Sequence, residues 1–170
     1  NEMISDCEQD VRAEKGLFQS FQYPTGLPGV TLRELVSYMD DKISSDEVDK
    51  LAEEYGVAEF LSRNVNIDLS GGEKKRSELF QLAIRNPKGI LLDEIDSGLD
   101  IDAIKLVSSL ISSISNDDNA IMIVTHYSRI LKYLEISKVH VIVGGKIVTS
   151  GDSKIIQQID SNGYAQFQEG

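Results

Sequence analysis

An α/β fold with a parallel sheet and an inserted helical stretch is what this sequence predicts, and three observations carry that expectation. Ile90, Leu91 and Leu92 form an uninterrupted apolar run ending in Asp93-Glu94, the pattern of a parallel strand covered on both faces with its polar residues at the sheet's carboxyl edge. Ala120-Ile121-Met122-Ile123-Val124 reads as a second buried strand and ends in Thr125-His126. Segments of helical period lie before and between these runs, so strands alternate with helices.

Asn1 to Gly16 is compatible with helix and holds no leading strand. Leu17, Phe18 and Phe21 are apolar enough for a short strand, after which Pro24-Thr25-Gly26-Leu27-Pro28-Gly29 breaks regular structure. From Thr31 to about Arg63 the pattern is helical. Thr31 caps a segment with Leu32, Leu35, Val36 and Met39 on one face, and Ser45 caps another with Val48, Leu51 and Tyr55. The outer faces of these helices are too acidic to be buried. A helix from about Gly72 to Arg85 stops before Pro87, because the residue preceding a proline is disfavoured in the helical region. After Asp100 an amphipathic helix carries Ile101, Ile104, Val107, Leu110, Ile111 and Ile114, closed by Asn116-Asp117-Asp118-Asn119. Val139 to Val143 is a strand, Gly144-Gly145 turns it into Lys146 to Ser150, and Gly151-Asp152 caps a last helix to about Ile159.

With 170 residues the chain can bury one core, and 41% hydrophobic with 26% charged residues is ordinary for a folded globular protein. The net charge of −11 argues against a surface that neutralises phosphate backbones, so no nucleic-acid partner is expected. No run approaches the roughly 18 apolar residues of a membrane span, so no direct membrane insertion is expected. Cys7 is the only cysteine, which excludes an internal disulfide and favours a cytoplasmic setting, or an organelle stroma in a eukaryote. A single thiol is also too few to hold an iron–sulfur cluster.

The chemistry gathers in two stretches, Leu69-Ser70-Gly71-Gly72-Glu73 and Asp93-Glu94-Ile95-Asp96-Ser97-Gly98-Leu99-Asp100. Ser70 can cap a helix while Gly71 and Gly72 let its backbone approach an anion closely, so N–H groups and the helix dipole face a phosphate. Asp93 can hold a phosphate-bound Mg²⁺ through water, and Glu94 beside it can polarise an attacking water. Read singly, the Ser-Gly-Gly loop is also a plain turn and the two acids a solvated strand end. Their order and spacing argue against coincidence.

In that order the run resembles the ABC-type ATPases. More narrowly, Leu69 to Leu99 with Asp100-Ile101-Asp102-Ala103 and Thr125-His126-Tyr127-Ser128-Arg129-Ile130-Leu131 is similar to the SufC family, the ATPases of SUF iron–sulfur cluster assembly. Transporter ATPases usually read Asp-Glu-Pro-Thr-Ser-Ala-Leu-Asp after the strand and Gln-Gln-Arg after the signature. Ile95-Asp96-Ser97-Gly98 and Lys74-Lys75-Arg76 stand here instead.

The resemblance implies a P-loop NTPase-like fold, here its carboxyl-terminal part, with an inserted helical subdomain. Its divisions would be 1–23, the end of an amino-terminal lobe with the Q-loop; 24–88, the helical subdomain with the signature; and 89–170, the α/β core with Walker B, D-loop and switch histidine. Glu94 and His126 would be catalytic. Gln22, Ser70, Gly71, Gly72, Asp93 and Asp100 would bind nucleotide, with Gln22 and Asp93 at the metal. Read alone, Gln22 is a strand-end residue, His126 a structural histidine and the helical stretch a solvated face; the resemblance makes that stretch the receiver of a partner. ATP and Mg²⁺ are the implied cofactors. SufB/SufD-like scaffold proteins and a second copy, paired head to tail around ATP, are the implied partners.

A Gly-x-x-x-x-Gly-Lys-Ser/Thr loop is absent from the 170 residues, since the Gly145-Lys146 pair is followed by Ile147 and preceded by His140 where the first glycine should stand. The family places that loop upstream of Gly16. The chain is therefore expected to match roughly the last two-thirds of such an ATPase and, by itself, to be inactive. Two other readings stay open, the ATPase subunit of a membrane transporter and a non-catalytic binding module.

Overall fold

The computed structural model describes residues 3–167, and the chain divides into two compact units, Asn1–His126 and Tyr127–Gly170. The first unit opens with α1 (Gln9–Glu14), β1 (Leu17–Ser20) and β2 (Leu27–Thr31). Then follow α2 (Leu32–Met39), α3 (Ser45–Glu54) and the two-residue β3 (Asn64–Val65). It ends with α4 (Gly71–Arg85), β4 (Gly89–Asp93), α5 (Ile101–Ile114) and β5 (Ala120–Val124).

Local sequence explains where the helices start. α2, α3 and α4 each begin with a reciprocal capping box, Thr31 with Glu34, Ser44 with Glu47 and Ser70 with Glu73, which satisfies backbone N–H groups that have no partner within the helix. The cap of α3 is thus Ser44, one residue before the serine the sequence pointed to. Asp100 caps α5, its carboxylate accepting from Ala103 N–H at 2.8 Å. At the far end of α4, Asn86 takes a left-handed conformation (φ 43°) that closes the helix ahead of Pro87.

β1, β4 and β5 form a parallel sheet with β4 in the middle. Ile90 and Leu92 are buried on one face of β4, in a core with Leu79, Phe80 and Leu82 of α4 and Ile104 and Val107 of α5. Each such side chain contributes about 1.5–3 kcal/mol by leaving water. α4 packs against both α5 and α2.

The expectation of a strand covered on both faces at 90–92, and of a second buried strand at 120–124, is corrected: in β4 only Ile90 and Leu92 are buried. Met122 is 58% and Val124 51% exposed, while Ile121 and Ile123, paired with Ile90 and Leu92, are half-buried. Among the described residues, the sheet is covered on one face only. An apolar run records that a strand has no polar side chains, and not what lies over each face. The break expected at Pro24–Gly29 is also shorter than foreseen, because β2 starts at Leu27 and pairs antiparallel with β3. Pro28 is tolerated because it lies in a two-stranded ribbon where not every N–H needs a partner.

The second unit contains β6 (Val139–Val143) and β7 (Lys146–Gly151), an antiparallel hairpin turning through Gly144 (φ 56°) and Gly145 (φ 77°), followed by α6 (Lys154–Asn162). Two positive φ values in succession are what a tight hairpin needs, and glycine supplies them without strain. Asp152 accepts from Lys154 N–H at 2.9 Å at the start of α6. His140 and Ser150 face each other across the hairpin, Nδ1 to Oγ 2.7 Å.

Candidate functional site

Parallel pairing brings the carboxyl ends of β1, β4 and β5 to one edge, so residues 21–22, 93–94 and 125–126 emerge side by side. Glu94 is the centre of what gathers there. Its backbone N–H donates to Val124 O at 2.9 Å and its φ is +47°, a left-handed conformation that costs a non-glycine residue about 1–3 kcal/mol. The carboxylate is met from both sides: Gln22 Nε2 donates to one oxygen, and His126 Nδ1 stands 3.1 Å from the other. Glu94 is three-quarters buried and His126 half-exposed, which leaves the group open to a ligand.

Asp93 closes β4, and its N–H donates to the buried Ser20 Oγ at 3.2 Å. Two residues beyond Glu94, Asp96 is 1% exposed and accepts from Thr125 Oγ1 at 3.0 Å. Among the described residues its other oxygen has no hydrogen-bond partner.

Phe21 and Gln22 are held from the side of α4. Lys75 and Glu78 are both buried, with Lys75 Nζ donating to Phe21 O at 2.9 Å and to Gln22 O at 3.4 Å. Glu78 accepts from Phe21 N–H at 3.0 Å, and its second oxygen faces Lys75 Nζ across 3.5 Å. Burial pushes the Glu78 carboxyl above its ordinary range, against the opposing pull of the Phe21 amide and the Lys75 charge.

Ser70 and Gly72 stand apart from this group, lining instead a cleft of about 320 Å³ with Asp100, Asp102 and Arg76. Ser70 Oγ accepts from Glu73 N–H at 3.3 Å as the cap. Gly71 and Gly72 are helical with no positive φ, a Cβ on Gly71 would meet nothing within 4 Å, and one on Gly72 would touch only Leu99 at 3.9 Å. Neither packing nor backbone conformation requires glycine there.

Of the eight residues singled out from the sequence, Gln22, Asp93, Glu94 and His126 thus come to one sheet edge, while Ser70, Gly72 and Asp100 line another cleft. Ser20, Lys75, Glu78 and Asp96 were missed. For Lys75 and Glu78 the signal was present, because they share the i, i+3, i+4 face of α4 with the buried Leu79 and Leu82.

The class these features define is a parallel α/β domain with a helical insertion and a pair of acids at the carboxyl edge. Compared with known families, residues 1–97 match the one described as ABC transporter. A probable ABC transporter ATP-binding protein of Streptococcus pyogenes serotype M3 is 44% identical over 95% of this chain and 68% of its own length. The iron–sulfur cluster assembly protein SufC of Plasmodium falciparum is 40% identical over 93% of this chain and 50% of its own. Among solved structures, a nucleotide-free ATP-binding cassette from an ABC transporter has TM-score 0.76 at 20% identity, over 99% of this chain and 73% of that one. The chain belongs to the ABC transporter family and has the ATP-binding-cassette fold. Among the described residues, no helix is long and apolar enough to cross a membrane.

Proposed function

We propose that the full-length protein hydrolyses ATP as the motor subunit of a SUF-type iron–sulfur assembly complex. The observation that carries the hydrolytic reading is Glu94, a partly buried carboxylate fixed between the Gln22 amide and the His126 imidazole at the end of β4. In that role Glu94 takes a proton from, or orients, the attacking water, and His126 and Gln22 keep its two oxygens aimed. Water has to displace or share one of those two hydrogen bonds.

The donor set fits ATP with Mg²⁺. Asp93 offers hard oxygen and Gln22 an amide oxygen, and no three acidic, histidine or cysteine side chains converge among the described residues to hold an ion unaided. That suits Mg²⁺, which keeps waters and takes phosphate oxygens rather than an all-protein cage. When bound, it supplies charge neutralisation on the transferring phosphate. Gly71, bare of any packing need, supports close approach of an anion to the start of α4.

Because Ser70 and Gly72 share a cleft with Asp100 rather than with Glu94, a second copy is the natural source of the phosphate they receive. Residues 1–23, 24–88 and 89–170 act as lobe end with Q-loop, helical subdomain and core, with SufB/SufD-like scaffold proteins as partners and the cytoplasm or an organelle stroma as setting. The SufC relatives and the run Ile95-Asp96-Ser97-Gly98 support this choice. The streptococcal relatives' names leave open a second reading, the ATPase subunit of a membrane transporter.

The test is steady-state ATP hydrolysis by the full-length protein, alone and with purified scaffold proteins. Glu94→Gln is expected to keep ATP binding and to slow turnover by about 10²–10⁴-fold. Equal turnover in the variant removes Glu94 from the reaction. Stimulation by a membrane permease rather than by the scaffold selects the second reading.

A further inference from the structure

We infer that Lys75 and Glu78 are positioning residues, a buried pair through which α4 holds the Gln22 amide on Glu94. Three consecutive residues are committed. Ser20 accepts from Asp93 N–H at 3.2 Å, Phe21 gives its N–H to Glu78 at 3.0 Å and its carbonyl to Lys75 at 2.9 Å, and Gln22 gives its carbonyl to Lys75 at 3.4 Å and its side-chain amide to Glu94. The segment is therefore strung between the end of β4 and α4. Lys75 and Glu78 lie about one and two turns in from Ser70-Gly71-Gly72, on the same helix.

A buried lysine and glutamate cost desolvation, and an apolar pair of similar size would hold a helix in place as well. What an apolar pair lacks is directional bonding to a backbone N–H and two carbonyls. The pair specifies where residues 21 and 22 sit relative to α4. Whatever shifts the start of α4 is transmitted to Gln22, and so to the orientation of the Glu94 carboxylate. Neither side chain touches the reacting atoms.

This inference rests on the hydrolytic reading of Glu94, and the experiment separates the two. In the full-length protein, Lys75→Met with Glu78→Leu removes both charges while keeping bulk. Without nucleotide, the Phe21 amide is expected to exchange at least about 10-fold faster than in wild type, since its acceptor is gone; unchanged exchange overturns the clamp. In ATP turnover, kcat is expected to fall about 10-fold with KM within about 2-fold, the signature of lost alignment rather than lost binding. On a Gln22→Ala background the same pair of changes should cost nothing further, because the clamp acts through Gln22. Additive losses overturn it, as a merely structural pair would give them. Should the double variant fail to fold, Glu78→Gln, which keeps the shape and an acceptor, carries the same cycle with a smaller loss. A wild-type protein that does not hydrolyse ATP refutes the hydrolytic reading, and the exchange measurement then decides the clamp alone.

Discussion

Glu78 is a carboxyl whose folded environment disfavours its charge, because burial outweighs the Phe21 amide and the Lys75 ammonium. Its proton is therefore held more tightly in the folded chain than in the unfolded one. The stability this contributes is full below the unfolded pKa and is lost as pH rises through the raised folded value. Glu78→Gln, which cannot ionise, is thus expected to gain stability relative to wild type as pH is raised from about 4 toward neutrality, read as the difference in denaturant midpoint at each pH. A constant difference would mean that Glu78 titrates alike in both states. Residue by residue, the sequence made legible those groups whose chemistry is declared by position, such as Asp93 and Glu94 at a strand end. It hid those declared by partner. Nothing near Asp96 announces that Thr125, twenty-nine positions on, would bond to it, and Lys75 reads as a surface cation until the face of α4 is known.

At the scale of elements, capping signals placed the helix starts to within a residue because Thr31, Ser70 and Asp100 bond locally, at i+3, where no tertiary knowledge is needed. β5 was read correctly as a strand and wrongly as buried, since coverage depends on what the rest of the molecule lays over it. α4 shows how function and element stability diverge. Gly71 and Gly72 open a helix whose backbone any residue could adopt, and a Cβ on Gly71 stands in open space. Gly71→Ala is expected to leave the melting temperature unchanged or raise it, by at most about 1 kcal/mol of helix propensity. The same substitution should weaken ATP turnover in the full-length protein. A variant that loses stability would show that the glycine serves the fold.

Over the whole molecule, the charge of −11 on 170 residues sets a uniform self-repulsion. Salt screens it, with a Debye length falling from about 30 Å at 0.01 M to about 8 Å at 0.15 M. The melting temperature is therefore expected to rise over that range in NaCl; a fall would mean that specific ion pairs such as Arg33 with Asp49 outweigh the general repulsion.

The sheet that is covered on one side has a bearing on how the molecule opens. β5 is bonded to β4 along one edge and none of its residues is fully buried, whereas β1 is tied down by the buried Ser20 and by the contacts of residues 20–22. Of the three strands of the parallel sheet β5 is the most exposed, so opening of that sheet is expected to begin there, where least apolar surface must be wetted. His126 leaves with it. Glu94, whose N–H is bonded to Val124 O, then loses its imidazole and the bond that pins its backbone in a left-handed turn, while Gln22 stays anchored to α4. The machinery at the sheet edge therefore fails in sequence, first the imidazole and last the amide, well before the core around Phe80 unfolds.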